Sequence, residues 1–121
     1  MEQKYQIGNK YGSIVWDIEA ILHDTEQFAT KDFSVEKLVS ENRFNGNIEY
    51  AMTTDITEPL IIVQLNEAQD KLIDGNHRLQ KCVKEGKKAV TAYYLIFDQH
   101  SKYIIDFDSD TYWKVVKHWG K

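Results

Sequence analysis

A chain of 121 residues, 42% of them hydrophobic and 28% charged, has the balance of a globular domain and not of a disordered segment. At this length it can bury roughly two thirds of its unfolded surface, so folding requires neither a metal nor a disulfide. Its formal charge of −4 is the wrong sign for a protein that coats nucleic acid by neutralising phosphates.

The opening stretch MEQKYQIGNKYG lacks the apolar core of a secretory signal. Residues 14–16 in GSIVWDIEAIL are β-branched and aromatic, which predicts a strand. Ile18, Ile21 and Leu22 after it suit a helical turn or a continued strand equally. HDTEQFATKD is polar and reads as a loop. SVEKLVSEN predicts a helix, with Ser34 as N-cap and Val35, Leu38 and Val39 at helical spacing. NRFNGN supplies the turn chemistry that ends it, and IEYAM has the pattern of a short strand.

Pro59 marks a boundary before LIIVQL, a continuous apolar run of the length of a buried strand. NEAQD is a hairpin connection into the short strand KLID. Residues 76–86 predict a helix with Leu79, Cys82 and Val83 on one face and Gly86 at its stop. AVTAYYLIF is the longest β-type run; DQHSK is expected to turn it and YIIDF to pair back against it. The helix at about 109–119 takes Ser109 or Asp110 as cap and sets Tyr112, Val115, Val116 and Trp119 on one face.

No repeat, low-complexity stretch or interdomain linker interrupts residues 1–121, and no apolar run approaches the roughly 18 residues of a membrane span. The expectation is one complete α+β domain with a small mixed sheet flanked by helices. The lone Cys82 excludes an internal disulfide and fits a reducing, cytoplasmic setting.

The residues that carry chemistry gather in LIDGNHRLQKC, where a strand meets a helix. A helix starting near Asn76 presents backbone N–H groups and partial positive charge. Gly75 lets the backbone turn sharply and a ligand approach closely. Arg78 adds a fork of donors suited to phosphate or carboxylate, and His77 a further donor or a proton. Together they predict an anion site, with phosphate the anion such helix starts hold most often. Asp74 fits if it orients Arg78 or His77, caps the helix, or holds a divalent cation shared with the phosphates. A plain Asp-Gly turn, with Asn76 as cap and His77 and Arg78 solvated, uses the same residues.

This corner in its context resembles the ParB/sulfiredoxin-like superfamily, which includes the N-terminal domains of ParB partition proteins, the sulfiredoxins and the free-serine kinases. The matching stretch is residues 59–95: a strand after a proline, a hairpin, a short strand ending in D-G-x-H-R, a helix, a glycine and a return strand. SIVWDIEAIL and SVEKLVSEN match the superfamily's first strand and following helix, extending the likeness to residues 13–97. The resemblance implies a small cytoplasmic domain of bacterial type that binds a nucleotide (ATP, ADP or CTP, with magnesium) or another phosphate-bearing ligand. It puts Gly75, Asn76, His77 and Arg78 at the phosphates and Lys37, with Ser34 and Glu41 on the same helical face, at the nucleotide. If phosphate is transferred, it implies Asp17 or Glu19 as base beside Asp74 and His77, and Asp74 as the magnesium ligand; such transfer relies on positioning and charge neutralisation.

The chain also departs from its relatives. Asn76 stands where the sulfiredoxins place their reactive cysteine, which excludes sulfinic-acid repair by that route. Cys82 reads as a small core hydrophobe. A single arginine at the corner, and a chain that ends soon after the fold, lead us to expect something other than a full partition protein.

Three other features have plainer explanations. Asp106, Asp108 and Asp110 are spaced like the start of a calcium loop, but Thr111 and Lys117 stand where glycine and glutamate are required. Arg78, Lys81, Lys84, Lys87 and Lys88 give one helix a basic side, and Lys114, Lys117 and Lys121 form a second cluster. Solvated helix faces look the same; the nucleic-acid-binding alternative rests on these lysines, and the nuclease-like one is what the resemblance implies. His23, His100 and His118 lack metal-ligand spacing and read as surface or turn residues.

Overall fold

The computed structural model describes residues 3–41 and 59–119, excluding the side chain of Glu41. The predicted IEYAM strand, the NRFNGN stop and Lys121 lie outside the described residues.

The elements run β1 (Lys4–Asn9), β2 (Gly12–Asp17), α1 (Ile18–His23), β3 (Thr30–Ser34), α2 (Val35–Glu41), β4 (Leu60–Asn66), β5 (Gln69–Asp74), α3 (Asn76–Lys84), β6 (Ala89–Leu95), α4 (Phe97–His100) and α5 (Ser109–Lys117). β1 and β2 form an antiparallel hairpin. The other strands form a mixed sheet in the order β3-β6-β4-β5, parallel only between β4 and β6. The molecule is thus an α+β structure with a mixed sheet, as its composition and periodicities predict.

β4 explains why LIIVQL carries no polar alternation. It is an inner strand, flanked by β6 and β5, and both of its faces are covered. Leu60 and Ile62 pack with Val35 and Leu38 of α2 and Leu79 and Cys82 of α3. Ile61, Val63 and Leu65 point the other way, against Ile14 and Trp16 of β2, Ile18 and Ile21 of α1, and Tyr112, Val115 and Val116 of α5. Two cores therefore lie on opposite faces of one sheet.

Several expectations need correction. The polar HDTEQFATKD is not all loop, because it contains a 3-10 turn (Thr25–Gln27) and leads into β3. YIIDF does not pair with β6, since β3 and β4 already occupy both of its edges. The chain instead forms α4 and a 3-10 turn (Ser101–Tyr103), and only Ile104 bridges to Trp16. Asp108, not Ser109 or Asp110, caps α5, accepting from the Thr111 N–H at 2.9 Å. Val83 is exposed despite its place in the apolar pattern of α3. His100 is no surface residue: it is fully buried between Trp16 and the backbone of Gln64. Ser34 does cap α2, accepting from the Lys37 N–H at 3.3 Å. Among the described residues no helix is long and apolar enough to cross a membrane.

Candidate functional site

β5 ends at Asp74, opposite Ile61 of β4, beside an irregularity in the register. Gly75 then adopts φ 102° and ψ 19° and becomes the N-cap of α3. Only glycine fits here. A Cβ would lie 2.8 Å from Leu60 Cγ and 3.3 Å from Leu60 Cα, and the backbone angle is left-handed. The corner is therefore pressed against the first residue of β4.

Arg78 folds back over this glycine. Its Nη2 lies 2.8 Å from Asp74 Oδ2, and its Nη1 donates to the Pro59 carbonyl at 3.3 Å. The two charged side chains are only 12% and 15% exposed. The guanidinium thus ties the end of β5 to the residue that leads into β4. Of the roles open to Asp74, orienting Arg78 is the one its contacts fill.

The helix start has an unusual charge arrangement. Gly75 brings no capping side chain, and the first turn of α3 holds no acid. Helix starts favour negative side chains because the aligned peptide dipoles leave partial positive charge there. Here a guanidinium lies beside that end, its Nε 3.2 Å from where a Gly75 Cβ would be, with Asp74 as the balancing carboxylate. Asn76 and His77 complete the turn, both half-buried.

Further along α3, Gln80 is buried, and its Nε2 has no hydrogen-bond partner among the described residues. Sequence periodicity gave no sign of this, because Gln80 lies off the apolar face of the helix. Cys82 is buried against the core, and burial raises its thiol pKa, with Lys87 pulling it down more weakly.

The remaining candidates sit elsewhere. Asp17 caps α1, accepting from the Ala20 N–H at 3.0 Å, and Glu19 is exposed on the first turn of that helix. α1 packs on the sheet face opposite the one that holds α3. Lys37 is exposed on α2, in the same layer as α3. Among the described residues no group of three or more His, Cys, Asp or Glu side chains could hold a metal. Asp106 adopts φ 52°, and Asp110 lies in the first turn of α5. Lys84, Lys87, Lys88, Lys114 and Lys117 are exposed, and Lys81 is half-buried. His118 stacks on Tyr11 with ring centroids 4.1 Å apart.

Comparison of the chain with protein-family models, with curated proteins and with solved structures gave no match.

Proposed function

We propose that the chain is a ParB/sulfiredoxin-like domain that holds a nucleotide, or another phosphate-bearing ligand, at residues 74–78. One observation carries the reading: a guanidinium, held by Asp74, lies beside the positive end of a helix whose first turn contains no acid. A helix start by itself favours the opposite charge, so a guanidinium there suits an anion brought in from outside. The motif order over residues 59–95 supports the same reading.

In this arrangement Gly75 lets a phosphate approach the backbone, Asp74 and the Pro59 carbonyl set the plane of Arg78, and His77 donates from the first turn. Lys37, on the neighbouring helix, extends the site toward the rest of a nucleotide such as ATP, ADP or CTP, with magnesium carried on the phosphates. Asp17 and Glu19 belong to the opposite layer, which favours binding over phosphoryl transfer by either carboxylate.

The test is a thermal-shift series with ATP, ADP, CTP and inorganic phosphate, each with and without magnesium. A ligand at a hundred times its Kd adds about 2.7 kcal/mol of stability, which is readily seen as a higher Tm. The shift is expected to shrink in His77→Ala, which leaves the pair of Arg78 and Asp74 in place. No shift with any of these ligands would defeat the reading.

A further inference from the structure

A second surface lies on the other face of the sheet. Phe97 of α4 stands 6.1 Å from Phe107 and 5.2 Å from Trp113 of α5, centroid to centroid. Phe107 is 41% and Trp113 44% exposed, and Ile96 beside them is 46% exposed. Phe97 and Trp113 form one wall of an open groove of about 520 Å³, and the turn of the β4-β5 hairpin, with Glu67 and Ala68, forms the other. An exposed tryptophan among further exposed apolar side chains is the composition of a binding hot spot, not of an ordinary solvated helix face.

The charge around it is one-sided at the helix starts. Glu67 lines the groove, Asp98 follows Phe97 in the first turn of α4, and Asp110 lies one turn before Trp113 on α5. None of the three forms an ion pair among the described residues. Asp98 and Asp110 also suit their helix starts, whereas Glu67 sits on a hairpin turn that needs no acid. Lys114 and Lys117 fall in the last turn of α5, Lys114 one turn after Asp110 and Lys117 one turn after Trp113, so the acidic excess at the groove rests on Glu67 and Asp98. A carboxylate rim repels nucleic acid and anionic lipid, and it attracts a cation that can also lie on an indole face.

We propose that this groove is a docking surface for a basic segment of a partner protein, with an arginine or lysine laid on Trp113 and flanked by Glu67, Asp98 and Asp110. The proposal does not depend on the phosphate site.

The test follows the indole N–H resonances of the three tryptophans while an uncharged-ended peptide of alternating arginine and leucine is added. A peptide of the same length with glutamate in place of arginine is the control. The Trp113 resonance is expected to move with the basic peptide only, and the movement to fade in high salt. Glu67→Lys with Asp98→Lys should weaken binding about tenfold at unchanged Tm. Trp113→Ala should abolish it. Equal response to the acidic peptide, a still Trp113 resonance, or undiminished affinity in the lysine variant would overturn the proposal. So would a single-stranded oligonucleotide that moves the same resonance. Concentration-dependent self-association lost in Trp113→Ala would assign the groove to a second copy of the chain instead.

Discussion

Trp16 donates its indole N–H to Nδ1 of His100 at 3.1 Å, joining residues 84 positions apart inside the core. An indole can only donate, so Nδ1 must accept, and the ring proton lies on Nε2, which donates to the Gln64 carbonyl at 2.7 Å. The contact fixes one tautomer and leaves no place for a second proton.

Burial accordingly holds the His100 pKa down, from 6.5 to about 4. Between those values the unfolded chain takes up a proton that the folded chain refuses. Stability from this group is therefore complete above pH 6.5, falls as the pH drops toward 4, and levels off below. At roughly 1.4 kcal/mol per pH unit, the loss is on the order of 3 kcal/mol. Urea midpoints at pH 7 and pH 5 read it, and the difference should shrink in His100→Gln, whose amide can remake both hydrogen bonds without titrating.

The pair of Arg78 and Asp74 is mostly covered, so its coupling should exceed that of an exposed ion pair. A double-mutant cycle of Asp74→Ala and Arg78→Ala is expected to give about 1–2 kcal/mol in urea unfolding. A coupling near zero would mean that the guanidinium is held mainly by the Pro59 carbonyl.

Gly75 and Gly86 both have left-handed backbone, but only the first is crowded: a Cβ at Gly86, with φ 71°, would meet nothing within 4 Å. Gly86→Ala is expected to cost about 1–2 kcal/mol for the backbone alone. Gly75→Ala adds a collision with Leu60 and should lower Tm clearly further.

Gln80→Leu should leave Tm unchanged or raise it. Removing a buried donor that lacks a partner relieves a cost of about 1–3 kcal/mol, whereas removing a bonded one imposes it. A fall in Tm would show that the amide has a partner within the protein.

The elements legible in the sequence were those whose side chains do the packing. LIIVQL announces β4 because both of its faces are buried, and Tyr112, Val115 and Val116 announce the inward stripe of α5. β1 and β3 escaped notice for the converse reason. KYQIGN buries only Ile7, and TKDFS buries nothing fully, so their strands are defined by backbone pairing to β2 and β6. The D-G-x-H-R corner was legible as a candidate site because glycine, histidine and arginine at a helix start are chemically specific. The bond between Asp74 and Arg78 was one of several arrangements that spacing allowed. The burial of His100 had no local signal at all, since it follows from where α4 lands between β2 and β4. The aromatic groove was equally hidden, because nothing in the spacing of Phe97 and Trp113 sets the two rings side by side.

Asn9, at the end of β1, donates its side-chain amide to the carbonyl of Val115 at 3.0 Å, and α5 packs directly on β2. The β1-β2 hairpin thus meets its partner only when residues 109–117 have been synthesised. Until then Ile14 and Trp16 lack part of their cover, so this half of the core is completed only when α5 docks.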